Sequence, residues 1–466
     1  MSQAGDAARL DRATVVSLVA MALGIFAVAV DFTALAVVVV DIEKDLGTSL
    51  NRAQWVINAY TVVFGVLIVT GGRLADQLGR RRVFLTGAAI FATFSLVGGL
   101  SPNIEVLIAA RALMGIGAAM MFPAVLGMTY ALLPEEKAGL AGGLVIGVVG
   151  LGNAAGPLIA GLLADVLVWR WVFFINLPIA LAAIIITRRN VSESRAGERV
   201  GFDYRGIATL SAGVILILIG LDQGTVDGFG SPVVVAMLVI GVLLLVVFAF
   251  VERRSGAEAL VPPRVMASVQ FTVAVVSVLA MSVVFYAILV YVPQFAEKDQ
   301  GWSALEAGAG LLPLMLVFAG VSFLAGRMYN RMGARLVVSA GAVCLTLGVL
   351  WLAFTVGSSY ALLVPGLVVV GIGRGLYYSA ITTAAVTAVP GSDSSLAGGI
   401  LFMAQIAGGS IGIGLNTAIV LSASDLADGI RTAFFVDAAI GLVGTVVAVA
   451  LIRGAGTAHA RRDAAA

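Results

Sequence analysis

Only 12% of the residues carry charge, and the 466-residue chain has one cysteine and one histidine. A soluble domain carries roughly a quarter of its residues as charges, so a chain this poor in them cannot cover a water-facing surface. Cys344 lies inside an apolar run, which leaves no disulfide and no cysteine cluster for a metal; its expected role is packing. His459 sits in a polar tail, and zinc-type sites need three or four donors, so no metal site is expected. The apolar runs hold no phosphate-binding loop and no nucleophile–histidine pair, which argues against an enzyme. What the chain has in abundance is hydrophobic residues, 60% of the total. Lipid must be the solvent for much of its surface.

About 20 apolar residues cross the hydrocarbon core as a helix. Runs of that kind fall at 14–40, 53–72, 83–100, 104–128, 138–164, 170–187, 206–222, 231–251, 268–293, 304–326, 335–355, 360–383, 395–421 and 431–452. They are rich in Leu, Val, Ala and Gly without a period of two, which argues against a β-barrel. The first run is too long for a signal-peptide core and is expected to be retained.

Fourteen spans place both termini on one side. The segments on that side hold 21 Lys and Arg, and the opposite side only Lys44, Arg52, Arg170, Lys298 and Arg431. Positive loops stay in the cytoplasm, so the expectation is a multi-pass protein of the cell membrane with both termini cytoplasmic. Two longer hydrophilic stretches, 188–205 and 252–266, bracket two of the spans. The expected organisation is therefore an amino-terminal six-helix bundle (1–187), a cytoplasmic linker with two inserted transmembrane helices (188–266), a carboxy-terminal six-helix bundle (267–453) and a cytoplasmic tail (454–466). The bundles carry a shared signature. Gly72-Arg73-Leu74-Ala75-Asp76-Gln77-Leu78-Gly79-Arg80-Arg81 aligns without gaps with Gly326-Arg327-Met328-Tyr329-Asn330-Arg331-Met332-Gly333-Ala334-Arg335. Each stretch follows the second helix of its half, the pattern of parallel repeats related by an axis along the membrane normal. Such duplication favours a rocking two-bundle transporter.

The stretch Gly72-Arg73-Leu74-Ala75-Asp76 with Gly79-Arg80-Arg81-Arg82 resembles the signature loop of the major facilitator superfamily. Over nearly the whole chain the sequence is similar to the fourteen-helix drug:proton antiporter-2 branch. Further matches are Arg111 with Gly115 and Gly117, Gly152 through Gly156-Pro157 and Gly161 (similar to the antiporter motif), the run Trp169 to Pro178, and Asp31 with Thr33. The resemblance implies an all-α fold of two six-helix bundles plus two inserted helices. It also implies proton-driven export of amphipathic or cationic small molecules by alternating access.

Asp31 lies well inside the first span, where an ionised carboxylate is costly unless it faces a cavity or a partner. Desolvation brings such a group toward protonation near neutral pH, which suits a proton carrier; a structural ion pair is the alternative reading. Arg111 cannot titrate in a protein, but it can tune a nearby acid, and the resemblance implies a role in proton coupling. Gly72, Arg73, Asp76, Gly79 and Arg80 are the candidate cytoplasmic gate. Asp76 is expected to dock near 394–396, at a helix N-terminus with partial positive charge; Arg81 and Arg82 are assigned to topology. Gly152, Gly156, Pro157 and Gly161 combine close helix approach with a bend, which suits a helix at the bundle interface. Thr33, Tyr60, Asn153, Tyr286, Arg374, Tyr377 and Asp437 are candidates for lining the cavity, with structural roles left open for Arg374 and Asp437. The expected partners are a small-molecule substrate, protons and the lipid bilayer. No nucleic acid, no metal and no cofactor beyond the proton motive force is expected, and the chain is read as a monomer. Export of a lipid or cell-envelope precursor on the same fold is the alternative. A non-transporting sensor or scaffold is the reading from another class.

Overall fold

The computed structural model describes residues 11–194, 203–256 and 259–451. The tail with His459 and part of the 188–205 loop lie outside the described residues. Fourteen described helices are long and apolar enough to cross a membrane. They are α1 (Arg12–Asp45), α2 (Leu50–Leu78), α3 (Arg80–Gly99), α4 (Ile104–Leu132), α5 (Ala138–Val166), α6 (Asn176–Asn190), α7 (Tyr204–Asp227), α8 (Pro232–Ser255), α9 (Val269–Lys298), α10 (Leu312–Met332), α11 (Ala334–Thr355), α12 (Tyr360–Val386), α13 (Ser394–Ser422) and α14 (Leu426–Leu451). Two runs read as continuous are interrupted. Helical residues Trp171–Phe174 precede α6, and a short helix Ala304–Ala309 precedes α10. At the second break the Gly310 N–H closes the short helix on Glu306 O, and Pro313 opens the next one from its first turn.

The halves repeat the same packing. In the first, α1 lies on α5 and α6, α2 and α3 lie on α4, and α3 touches α6; in the second, α9 lies on α13 and α14, α10 and α11 lie on α12, and α11 touches α14. The halves meet along two equivalent seams, α2 with α13 and α5 with α10. The repeated loops turn by the same means. Gly79 (φ +112°) separates α2 from α3 and Gly333 (φ +80°) separates α10 from α11, each as the single residue between two helices. A side chain would strain that backbone.

Lipid exposure runs opposite to soluble practice. The most apolar window of α8 has mean hydropathy 3.3 and is only 11% buried, whereas that of the α13 span has 1.6 and is 72% buried. Lipid tails are as apolar as Leu, so nothing drives a Leu/Val helix inward, and small and polar residues make the interior contacts. Helix α7 packs beside α2 and α13 and carries α8 on its outer side.

Candidate functional site

Asp31 sits midway along α1 and is 1% exposed. Its Oδ2 accepts from Arg111 Nη1 of α4 at 2.5 Å, and its Oδ1 accepts from Asn176 Nδ2 at 3.0 Å. Arg111 also donates through Nε to Val56 O (2.8 Å) and lies 4.1 Å from the centre of the Tyr60 ring. Asn176 further donates to Ser95 Oγ at 3.2 Å. Four helices and the start of α6 thus converge on one carboxylate, inside the amino-terminal bundle. Asn176 belongs to the Trp169–Pro178 run, yet nothing in the sequence names it as the partner of Asp31. The helix break at Ile175 places it at the first position of α6, beside Ser95.

Thr33, two residues on, serves a different neighbour. Pro157 has no N–H, so the Asn153 carbonyl four residues earlier lacks its usual helical partner. Thr33 Oγ1 donates to that oxygen at 3.2 Å. In lipid such a freed carbonyl must be satisfied by a neighbouring helix. The Asp-x-Thr element therefore ties α1 to α4 and α6 through its acid and to α5 through its hydroxyl.

The glycines of α5 divide differently from the sequence expectation. Gly152 and Gly156 pack on α1 within the same bundle: a Cβ on Gly156 would strike Thr33 Oγ1 and stand 2.7 Å from Val30 O. The seam with the other bundle is built instead from Gly139, Gly143, Gly147 and Gly150, which meet Gly326, Ser322, Phe323 and Ala319 of α10. Gly152 and Gly156 thus face α1, while α5 itself lies at the bundle interface through its other glycines. Successive glycines on two faces of one helix point to opposite neighbours, and sequence spacing alone does not say which. Gly161 is buried in the same helix.

The arginine-rich end is latched between the bundles. Asp76 accepts from Leu396 N at 2.9 Å and Ser395 N at 3.4 Å, the first turn of α13. Arg80 joins Asp76 (2.9 Å), Ser394 Oγ (2.8 Å), Gly391 O (2.6 Å) and Gly127 O (3.2 Å). Gly72 faces Ser395 O so closely that a Cβ would stand 2.6 Å from it. Arg73 lies 3.8 Å from Asp393, which also accepts two hydrogen bonds from Arg264 at 2.7 and 2.9 Å. Those bonds hold the Arg264 guanidinium above its usual pKa range. Asp393, 1% exposed, belongs to this latch although the sequence did not single it out; it lies just ahead of α13 and no repeat marks it. Beside the gate, Arg81 Nη2 donates to Arg188 O and Arg82 lies 3.7 Å from Glu193. The second repeat makes an equivalent but neutral latch, in which Asn330 Oδ1 accepts from Gly139 N, at the start of α5, at 3.0 Å.

Of the cavity candidates, Thr33 and Asn153 line a cleft of about 360 Å³ between α1 and α5 on one side and α9 and α10 on the other. It lies in the half of the molecule away from the latch. The others do not line it. Tyr60 lies under Arg111, Tyr377 pairs its hydroxyl with Ser277 at 2.7 Å, and Asp437 accepts from Asn416 at 3.1 Å. Tyr286 accepts from Gln405 at 3.0 Å, and Arg374 lies between the Phe285 and Tyr378 rings at 4.2 and 4.3 Å. Among the described residues no group of acids, histidines or cysteines is placed to hold a metal.

The sequence profile of the Major Facilitator Superfamily matches residues 21–328 and 314–465. The chain belongs to the major facilitator superfamily. The multidrug resistance protein Stp of Mycobacterium tuberculosis (strain CDC 1551 / Oshkosh) is 31% identical over 404 residues, covering 86% of this chain and 75% of that protein. The tetracenomycin C resistance and export protein of Streptomyces glaucescens is 34% identical, covering 88% and 76%. The cephamycin export protein CmcT of Amycolatopsis lactamdurans is 30% identical, covering 97% and 94%. Among solved structures, the proton:xylose symporter XylE superposes with a TM-score of 0.69 at 12% identity, covering 95% of this chain and 96% of that one. This major facilitator protein is accordingly a multi-pass membrane transporter of the drug-efflux branch, with about fourteen helices.

Proposed function

We propose that the protein exports amphipathic small molecules by alternating access, driven by protons that enter through Asp31. The observation that carries this reading is the buried pair of Asp31 and Arg111 in the amino-terminal bundle. Protonation of Asp31 removes its attraction for Arg111 and frees α1 to shift against α4. That shift is felt at α5 through Thr33 and Asn153, and α5 forms one of the two seams with the other bundle. With the arginine-rich end assigned to the cytoplasm by the positive-inside rule, the latched state with its distal cleft is the one that receives protons from outside. At about 100 mV one inward charge supplies roughly 2.3 kcal/mol, close to a fifty-fold gradient. The multi-pass protein would thus sit in the cell membrane with both termini inside, and it carries out transport and not bond chemistry. Its likeness to proteins named for antibiotic export supports the direction.

The test is transport of a dye panel by proteoliposomes under an imposed pH gradient. Asp31→Asn keeps the shape and removes the titratable charge; the expected result is loss of gradient-driven transport by a hundred-fold or more, with insertion retained. Uphill transport by the variant at the wild-type rate would refute the assignment.

A further inference from the structure

Arg374 is the one guanidinium in the carboxy-terminal bundle's interior among the described residues, and it is 1% exposed. Its Nε and Nη1 have no hydrogen-bond partner, and none of the ion pairs among the described residues includes it. Aromatic groups surround it. Its guanidinium carbon lies 4.2 and 4.3 Å from the centres of the Phe285 and Tyr378 rings, and Tyr286 and Tyr377 are close by. Ring faces offset part of the cost of a buried cation, but an arginine remains charged and its unmet donors remain expensive. A transporter that keeps such a group has a use for an arriving anion.

The neighbours define what arrives. Gln405 on α13 bonds Tyr286 through Nε2, leaving its own Oε1 without a partner. An exchange of the amide's oxygen and nitrogen would let the Tyr286 hydroxyl donate and turn the NH₂ outward as a second donor. One turn before Gln405, Phe402 meets Phe64 and Phe122 of the other bundle at 5.1 and 4.3 Å between ring centres. Phe64 in turn meets Tyr60, the ring under Arg111. A run of rings from Tyr60 through Phe64 to Phe402 therefore crosses between the bundles, and Gln405, on the same helix as Phe402, reaches the Arg374 neighbourhood through Tyr286.

We propose that Arg374 is the recognition point for a carboxylate on an apolar, aromatic substrate. The single cation matches one negative charge and not a phosphate group, and the rings on either side match a flat apolar body. The proposal rests on the transport reading above and narrows its amphipathic substrates to those carrying an acid. When the substrate leaves, Arg374 is left with the Phe285 and Tyr378 rings, which offset only part of the cost of its charge.

Dansylglycine (a carboxylate), dansylamide (neutral) and dansylcadaverine (a cation) share one fluorophore and separate the possibilities. In proteoliposomes under a pH gradient, the wild type should move dansylglycine at least ten-fold faster than dansylamide. Arg374→Gln should lower the ratio of the dansylglycine rate to the dansylamide rate ten-fold or more, and Arg374→Lys should recover part of the loss. Thermal unfolding of the purified protein adds a readout that a structural role would not give. Dansylglycine should raise the midpoint of the wild type and not of Arg374→Gln, and the unliganded variant should unfold no earlier than the wild type, since an uncompensated buried charge has been removed. If Arg374→Gln carries dansylglycine at the wild-type rate, or unfolds early without rescue by Lys, the assignment is overturned. If the wild type moves dansylamide or dansylcadaverine but not dansylglycine, the carboxylate site falls and the transport reading stands. If it moves none of the three, both fall.

Discussion

In the amino-terminal half a buried carboxylate and a buried guanidinium meet, Asp31 on Arg111 at 2.5 Å. In the carboxy-terminal half Asp437 and Arg374 are just as deeply buried, at 0% and 1% exposure, and each has only neutral neighbours, an asparagine for the acid and aromatic rings for the base. The loops differ in the same sense: Asp76 with Arg80 latches the first seam, and the neutral Asn330 latches the second. The helix packing has been duplicated; the charges have not. In a low-dielectric interior a charge is the most expensive group to place, so its distribution reports how the two halves divide the work. One half pairs its buried acid with its buried base, and the other keeps them apart among neutral neighbours.

The largest effect should come from making the first half resemble the second. Asp31→Asn leaves Arg111 with Val56 O and the Tyr60 ring, a setting like that of Arg374, so the protein should still insert while gradient-driven transport disappears. The exposed cost, at most about 3–5 kcal/mol for a broken buried pair, should be relieved in the double variant Asp31→Asn/Arg111→Gln. Thermal unfolding should recover while transport does not; recovery of transport would erase the functional difference between the halves.

The two glycine faces of α5 come next. Gly143→Leu, against Ser322 O at the seam between bundles, should insert normally and block transport at least ten-fold. Gly156→Leu strikes Thr33 and α1 within the bundle and should lower expression and thermal stability first. Membrane expression and transport, measured side by side for the pair, would show equal behaviour if the two faces were equivalent.

The latches should give a smaller and graded response. Asp76→Asn weakens both the ion pair with Arg80 and the contact at the α13 N-terminus, and should slow cycling several-fold and open the arginine-rich end. Asn330→Ala removes one hydrogen bond, about 0.5–1.5 kcal/mol, and should do the same more weakly. Single cysteines placed at each end, in a Cys344→Ser background, would report the ratio of accessibilities; a larger change for Asn330→Ala would reverse the order proposed for the seams. Smallest of all, Leu162→Val, at a 64% exposed position of α5, should leave transport within two-fold of wild type.

Much of this was legible in the residues. Apolar runs bounded by arginines mark the helices because a spanning segment must satisfy its backbone internally and exclude charge along some 20 residues. The repeat of Gly72–Arg81 in Gly326–Arg335 marks the equivalence of the halves, and both of its turn glycines have positive φ. The interruption at Ile175 was not legible, because the hydropathy of the segment is continuous across it. The pairing of Asn176 with Asp31 was hidden for the same reason, since 145 residues separate two side chains brought together only when α1, α3 and α6 converge.

By itself the sequence determined the number of spans, the gathering of the arginines at one end of the molecule, the internal duplication and the presence of a few costly charges in the interior. Each follows from one-dimensional pattern and the price of charge in hydrocarbon. Only the tertiary structure decided that Asp31 has Arg111 and Asn176 as partners, that Thr33 answers the carbonyl freed by Pro157, that Gly152 and Gly156 face α1 while Gly139 to Gly150 face α10, and that Arg374 stands without an anion. Those facts depend on how helices rotate about their own axes as they pack. With small residues on several faces and lipid indifferent to which apolar face it meets, helix rotation is set by contacts between segments far apart in the chain.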